Sequence, residues 1–166
     1  MVQVRKAQPE DAPQIVEVIK SAEESGFMLF NPGERQLTAE IFAKRIENMN
    51  ADEKSGIFIA CEEERVLGYM IVQNDTPEKI VHRGYIVIGV HSDYRGKGVG
   101  KALFSFVLDW AKTVGLHRLE LTVIKNNEVA VNLYKKMGFE IEGIKKDSLY
   151  IDKVYVDEYY MAKLID

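Results

Sequence analysis

The chain has 166 residues and a net charge of −4, with 46% hydrophobic and 29% charged residues. This composition predicts one folded domain over residues 1–166 and excludes a disordered protein, and the negative charge argues against a nucleic-acid partner, because nucleic-acid-binding domains usually carry a basic face. With no apolar leader and no apolar run near the ~18 residues of a membrane span, the sequence predicts a cytoplasmic protein without a membrane partner.

The N-terminal part of the chain predicts a strand and two helices. Residues 2–5 have the pattern of a short strand, and a helix opens at residues 9–13 and ends at Gly26. The apolar positions of this helix recur at helical spacing, at Ile15, Val16, Ile19 and Ala22. A second helix begins after Thr38, a favoured N-cap residue. Its apolar face comprises Ile41, Phe42, Ile46 and Met49.

The segment between the two helices, residues 27–36, is unusually apolar for a surface loop. Its apolar residues are followed by turn residues, in the order Phe27, Met28, Leu29, Phe30, Asn31, Pro32 and Gly33. Because clustered apolar side chains are rarely left to solvent, we expect the loop to cover something. One interpretation is a hydrophobic lid over the core.

Two strands that form a hairpin follow, at residues 57–61 and 66–73. Cys61 lies at the end of the first strand and is the only cysteine, so no disulfide can form within the chain. Its apolar surroundings predict a buried thiol. A polar loop at residues 74–82 then leads to a central strand at residues 85–90.

A glycine-rich loop joins the central strand to the next predicted helix. It comprises Arg95, Gly96, Lys97, Gly98, Val99, Gly100 and Lys101. Glycine lacks a Cβ and reaches positive φ, so this backbone can approach an anion closely, and the free N–H groups at the start of the helix favour negative charge there. The basic side chains add to this preference. The loop is therefore predicted to bind phosphate.

Two other types of phosphate loop do not match this segment. A P-loop has glycine where this chain has Arg95, and Ser or Thr where it has Ala102. The dinucleotide fingerprint G-x-G-x-x-G requires glycine where Lys101 or Leu103 stands. Neither nucleotide-binding fold is indicated.

The rest of the chain predicts two helices and three strands. They are predicted at residues 98–114 (helix), 119–124 (strand), 128–137 (helix), 139–144 (strand) and 154–161 (strand). The first of these helices has an apolar face that comprises Val99, Leu103, Phe106, Val107, Trp110 and Val114. Gly138 suits the left-handed position after the second helix. Residues 145–153 are predicted to be irregular.

Two motifs in this order carry a resemblance to a known family. The first reads Arg95-x-x-Gly98-x-Gly100, at the junction of strand and helix. The second reads Asn127-x-x-Ala130-x-x-Leu133-Tyr134-x-x-x-Gly138-Phe139. Together they resemble the GNAT superfamily of acetyl-CoA-dependent N-acetyltransferases, over nearly the whole chain. The resemblance implies an α/β (α+β) fold of the GNAT type, in which a mixed, mostly antiparallel sheet of about seven strands is splayed in the middle and has helices on both faces.

The resemblance also implies a reaction and a co-substrate. An acetyl group would pass directly from acetyl-CoA to a primary amine in a ternary complex, with a small molecule, an amino acid or a peptide or protein N-terminus as acceptor. No metal and no covalent nucleophile are expected, and a homodimer is left open. The alternative is a non-catalytic acyl-CoA-binding regulatory module on the same fold.

The resemblance assigns cofactor contacts to residues 95–101, to Asn127 and Tyr134, and to the central strand. In that strand the backbones of Ile88 and Val90 would pair with the pantetheine and polarise the thioester carbonyl. Gly89 between them would permit a bulge. Asn127 also suits an N-cap of the helix that follows it.

Tyr134 and Glu120 are the predicted catalytic residues. A phenol of ordinary pKa ~10 is protonated at neutral pH and can donate its proton to the departing CoA thiolate, although Tyr134 could instead only pack on an apolar helix face. Glu120 points away from its apolar neighbours on its strand and could accept the proton of the ammonium through water, with a solvated or salt-bridged glutamate as the alternative. Residues 27–36 and 145–153 are expected to form the acceptor side. For residues 27–36 this is the alternative to the hydrophobic lid described above.

Overall fold

A single sheet runs through the chain, which the computed structural model describes from residue 1 to residue 166. Its strands in chain order are β1 (Gln3–Lys6), β2 (Gly56–Glu62), β3 (Arg65–Asn74), β4 (Arg83–Val90), β5 (Arg118–Ile124), β6 (Glu140–Ile151) and β7 (Val154–Leu164). Their order in space is β1-β2-β3-β4-β5-β7-β6, and every neighbouring pair is antiparallel except β4 and β5. The predicted mixed, mostly antiparallel sheet of seven strands is confirmed.

Two helices cover each face of the sheet, as predicted. The helices are α1 (Ala12–Glu23), α2 (Ala39–Asn50), α3 (Val99–Thr113) and α4 (Glu128–Lys136). On one face α1 and α2 pack around buried residues such as Ile15 and Ile46, and on the other α3 and α4 pack around Leu103, Phe104 and Val131. No helix is both long enough and apolar enough to cross a membrane.

The helix ends follow local signals in the sequence. The hydroxyl of Thr38 accepts a hydrogen bond from Ile41 N at 3.2 Å, which satisfies a backbone donor at the start of α2. Gly138 has φ +94° just after α4, a conformation that favours glycine. These ends lie within one or two residues of the predicted ones because capping depends on neighbours in sequence.

The splay lies between β4 and β5. These two strands pair only at Arg83 with Arg118, Gly84 with Leu119 and Tyr85 with Glu120. Beyond Tyr85, β4 continues beside β3 and β5 continues beside β7, so a gap opens between them in the middle of the sheet. We call this opening the gap.

The prediction that residues 145–153 are irregular is wrong. β6 continues to Ile151 and meets β7 in a tight turn at Asp152 and Lys153, whose φ angles are +49° and +66°. Within this segment the pairing with β7 shifts register between Lys145 and Leu149, where Asp147 has φ +49°, and an earlier shift lies between Ile141 and Gly143. The charged residues of this segment are typical of a loop. An edge strand such as β6 tolerates them because one of its edges faces solvent.

Gly89 does not form the predicted bulge. The pairing of β3 with β4 is continuous, with Gly89 opposite Tyr69. A Cβ atom on Gly89 would lie 2.7 Å from the hydroxyl oxygen of Tyr69, so the glycine makes room for that ring. The prediction failed because Tyr69 belongs to another strand. The sequence around Gly89 does not indicate that the Tyr69 ring packs against it.

The buried face of α3 differs from the predicted one at Phe106. This residue is 38% exposed, and its ring lies tilted against that of Phe58 with the centroids 5.7 Å apart. Phe104 is fully buried in its place, with its ring 5.4 Å from that of Phe139. The buried stripe of α3 therefore runs through Leu103, Phe104, Val107 and Ala111, and Phe106 lies beside it.

Candidate active site

The loop between β4 and α3 has a backbone suited to an anion. Gly96 has φ +74° and Gly98 has φ +80°, which glycine adopts far more readily than other residues. Gly98 is the N-cap of α3, and no side chain caps this end of the helix. The N–H groups of the first turn are therefore free to bind a negatively charged group.

Gly100 serves a different purpose from the one the sequence suggested. It lies inside α3 and does not have a positive φ. A Cβ atom on Gly100 would lie 2.8 Å from Cδ2 of Leu133, so this glycine lets the start of α3 pack closely on α4. The basic residues of the loop, Arg95, Lys97 and Lys101, form no ion pairs within the protein.

The backbone of β4 faces the gap at Ile88 and Val90. His91 N donates to Leu67 O of β3 at 2.9 Å, and backbone N–H groups alternate between the two edges of a strand. The N–H and C=O groups of Ile88 and Val90 therefore point away from β3, towards the gap. No strand pairs with them there, so an extended ligand could take the place of a strand.

Tyr134 of α4 packs beside the gap with a free hydroxyl. Its side chain is 8% exposed, its ring lies edge-on to that of Phe104 at 5.6 Å, and its hydroxyl makes no hydrogen bond to the protein. Burial raises the pKa of Tyr134 above the ordinary value of a phenol, and the nearby phenol of Tyr85 raises it further. Tyr134 is therefore a neutral hydrogen-bond donor at neutral pH.

Asn127 forms the N-cap of α4, as its sequence position suggested. Its side-chain oxygen accepts a hydrogen bond from Ala130 N at 3.3 Å. The amide N–H groups of Asn127 remain available to a ligand.

Glu120 is held by two arginines. Its Oε2 accepts a hydrogen bond from Arg118 Nε at 2.8 Å, and its Oε1 lies 3.8 Å from Arg83 Nε. Arg118 also binds Glu142 of β6, and this contact lowers the pKa of Glu142. The structure therefore shows a salt-bridged glutamate, which was the alternative to a general base. Glu120 is also the residue of β5 at which the pairing with β4 ends. The role of Glu120 as a base stays a prediction.

Tyr85 and Thr122 lie at the gap and were not identified from the sequence. The hydroxyl of Tyr85 on β4 lies 2.8 Å from that of Thr122 on β5, so the pair bridges the two strands just where they begin to separate. Tyr160 of β7 is paired with Thr122 and is 45% exposed. The only signal in the sequence was the alternation of each strand, which carries no motif.

The segments expected to form the acceptor side are largely exposed. In the loop between α1 and α2, Phe27 and Leu29 are 45% and 76% exposed, while Met28 packs against the core beneath the two helices. The loop therefore does not act throughout as a lid over the core. At the tip of the β6–β7 hairpin, the tilted rings of Tyr150 and Tyr155 lie with their centroids 5.0 Å apart, and both side chains are exposed.

Comparison with known protein families shows to which family this chain belongs. A family model described as the acetyltransferase (GNAT) family matches residues 17–139, a range that includes both the glycine-rich loop and the motif that ends at Phe139. The chain belongs to the GNAT family. Family membership supports an acyltransferase.

Named relatives and solved structures agree with this membership. The L-amino acid N-acetyltransferase AaaT of Escherichia coli is 34% identical over 107 residues, which are 64% of this chain and 66%, just under two thirds, of that protein. The crystal structure of a GNAT-family acetyltransferase from Streptococcus pneumoniae superposes with a TM-score of 0.93 over 100% of both chains, at 28% identity. The yncA protein of Salmonella typhimurium, solved with its cofactor acetyl-CoA, has the same fold, with a TM-score of 0.90 over 99% of this chain and 94% of that one, at 19% identity.

Proposed function

We propose that residues 1–166 form one N-acetyltransferase domain that moves an acetyl group from acetyl-CoA to a primary amine. The observation that carries this proposal is the gap, where unpaired backbone groups of β4 lie beside the free hydroxyl of Tyr134. The gap connects the face of α3 and α4 with the face of α1 and α2. Two substrates can therefore meet there from opposite sides of the sheet.

The cofactor side of the proposal depends mainly on backbone groups. The N–H groups around Gly96 and Gly98 and at the start of α3 would hold the pyrophosphate, and the basic side chains of the loop would add positive charge. Ile88 and Val90 would pair with the pantetheine as a strand does, and Asn127 would donate from its amide. When bound, acetyl-CoA supplies the acetyl thioester.

The chemical step needs a donor to the carbonyl oxygen, an acid and a neutral amine. Backbone N–H groups of β4 that face the gap would stabilise the negative charge that develops on the carbonyl oxygen. Tyr134 would donate its proton to the departing thiolate, since it stays protonated at neutral pH. No side chain of the protein is acylated, so transfer is direct in a ternary complex.

The amine would lose its proton on the opposite face. Glu120 lies on that face, at the start of the gap and next to Tyr85, and would accept the proton through water. Its ion pair with Arg118 would have to loosen as it does so, because protonation removes the charge that Arg118 binds.

The acceptor is a primary amine of a small molecule, an amino acid or a peptide or protein N-terminus. The relative named an L-amino acid N-acetyltransferase supports the second of these classes, by similarity over 64% of this chain. The exposed loop between α1 and α2 and the aromatic face around Tyr85 and Tyr160 offer side chains for such a ligand.

The test is release of CoA from acetyl-CoA in the presence of a panel of amines. We expect release only when a suitable amine is added, and initial-rate plots that intersect as required for a ternary complex rather than the parallel lines of a covalent acyl-enzyme. Mass spectrometry should find the acetylated amine. Tight binding of acetyl-CoA by calorimetry, with no release for any amine, would instead favour the non-catalytic regulatory module.

A further inference from the structure

The C-terminal end of α1 is tied to the open end of the gap. Ser92, just beyond the end of β4, donates from its backbone N to Oγ of Ser21 at 2.9 Å, and the two hydroxyl oxygens lie 3.0 Å apart. Residues that follow Ser21 are therefore held near the carboxyl end of β4. The loop between α1 and α2 starts at this place, on the acceptor face.

Within this region a buried carboxylate holds an arginine. Glu23 is 4% exposed, and its Oε2 accepts a hydrogen bond from Nε of Arg35 at 2.9 Å. The guanidinium carbon of Arg35 also lies 4.5 Å from the ring centroid of Phe30. Because a buried carboxylate requires a partner and the aromatic ring supports the cation from another side, the guanidinium is fixed in place.

The forked end of Arg35 remains available. Its Nη1 and Nη2 make no hydrogen bond within the protein, and its side chain is 30% exposed. A guanidinium presented in this way binds a carboxylate through two parallel hydrogen bonds. The contact with Glu23 uses only Nε and leaves this geometry free.

Two arginines, Arg35 and Arg45, and one bonded carboxylate lie together in a chain that is negative overall. Arg45 of α2 has no ion-pair partner, and partial burial lowers its pKa while the nearby charge of Arg35 lowers it further. Glu23 is the only carboxylate bonded to either arginine. An anion bound here would relieve the repulsion between the two guanidinium groups.

The same charges surround a tyrosine that touches the central strand. Burial raises the pKa of Tyr69, with Arg35 opposing the rise and Glu23 adding to it, so both lie near that phenol. The Tyr69 hydroxyl in turn lies against Gly89 of β4. The positive cluster therefore borders the strand that lines the gap.

We propose that the acceptor is a small amine that also carries a carboxylate, and that Arg35 binds this carboxylate while Arg45 adds positive charge beside it. This inference rests on the proposed function. Arg35 would orient the acceptor so that its amine reaches the gap. Polyamines and other acceptors without an anionic group would be disfavoured, because they leave the free end of Arg35 unpaired and bring a second cation to it.

The experiment compares acceptors that differ in the carboxylate. CoA release is measured with the standard L-amino acids, with the carboxamide of each one that reacts, and with spermidine, for the wild type and for Arg35→Gln, Arg45→Gln and Lys44→Gln. Lys44 is an exposed cation of α2 that pairs with Glu47 at 3.4 Å and serves as the matched control. The ratio of kcat/KM for acid and carboxamide is compared between proteins, so that the different basicity of the two amines cancels.

We expect the wild type to prefer the free acid. Arg35→Gln should lower kcat/KM for the acid by ~10-fold or more, mainly through KM, and leave the carboxamide nearly unchanged, since a hydrogen-bonded contact between two charged groups is lost. Arg45→Gln should cause a smaller loss of the same kind, and Lys44→Gln none. Because Arg35→Gln leaves Glu23 buried without its cation, the double variant with Glu23→Gln and Arg35→Gln is measured as well and should show the same loss of preference with a melting temperature closer to wild type.

The inference is overturned if the wild type acetylates spermidine or the carboxamides as well as the free acids, or if Arg35→Gln and the double variant lower the rates of acid and carboxamide equally. Either outcome leaves the proposed function intact. Absence of CoA release with every amine, in protein that binds acetyl-CoA, would overturn the proposed function and this inference with it.

Discussion

The two sides of the gap offer different kinds of contact. On the side of α3 and α4, a ligand placed as we propose would meet backbone groups: a glycine turn, an uncapped helix end and the free edge of β4. On the side of α1 and α2, it would meet side chains from separate elements, among them Arg35, Tyr85, Glu120 and Tyr160. We call these the cofactor side and the acceptor side.

The difference teaches how one scaffold can keep a single co-substrate and vary the acceptor. Backbone recognition requires particular φ angles and glycines, so it constrains the sequence locally and appears as a motif. Side-chain recognition on a loop and a sheet face can change without disturbing the fold. Substitutions on the two sides should therefore affect different steps, namely the binding of acetyl-CoA on one side and the use of the acceptor on the other.

The largest effect is expected from Gly98→Glu on the cofactor side. This variant places a carboxylate at the helix end that should receive the pyrophosphate, so binding of acetyl-CoA should fall below what calorimetry detects. Gly33→Glu in the α1–α2 loop is the matched control, because both glycines have positive φ, +80° and +75°, and neither would meet an atom within 4 Å of an added Cβ. Equal affinity of the two folded variants would contradict the assignment of the loop.

The next effect concerns Tyr134, the one side chain of the cofactor side assigned to chemistry. Tyr134→Phe keeps the ring and its contact with Phe104, so stability and acetyl-CoA affinity should barely change, while turnover should fall by ~10²- to 10⁴-fold. Tyr155→Phe on the exposed surface of β7 is the control and should have no effect. Because burial raises the pKa of Tyr134, the wild type should show no alkaline loss of activity from this residue up to pH ~10.

Single-turnover kinetics decide the role of Tyr134. A variant that releases thiol at the wild-type rate on every acceptor would make Tyr134 a core residue and water the acid. An acyl donor with a more acidic leaving thiol should partly rescue the variant, because such a thiolate needs less protonation.

A further effect on catalysis is expected on the acceptor side, at Glu120. Glu120→Gln should lower kcat/KM by ~10²-fold, the lower end of the range for a general base. Glu142→Gln is the matched control, because Glu142 binds the same Arg118 but lies on β6. If both variants behave alike, Glu120 only holds Arg118 in place.

Glu142→Gln should change stability rather than catalysis. Arg118 lowers the pKa of Glu142 in the folded protein, so the stability that this pair contributes is present above the ordinary pKa of a glutamate, ~4.3, and is lost as the pH falls. The contact is exposed, so the difference in melting temperature between variant and wild type at neutral pH should be small and should vanish in acid.

Much of the cofactor side was predictable from the sequence. Positive φ angles and helix capping depend on residues close in sequence. They made it possible to predict the glycine loop, the N-cap Asn127 and the start of α4. The acceptor side was predictable only in outline. Residues 27–36 were expected there, but the bond between Arg35 and Glu23 was not, and neither was the bridge between Tyr85 and Thr122.

By itself the sequence determined most of the elements, their order and the glycine-rich motif proposed to bind an anion, because capping, glycine conformation and hydrophobic periodicity act between residues close in the chain. The tertiary structure alone decided that Gly89 makes room for Tyr69, that Gly100 admits Leu133 and that Arg118 joins Glu120 to Glu142. These contacts join elements distant in sequence. They depend on strand register and helix packing, so they cannot be predicted from the spacing of residues in the sequence.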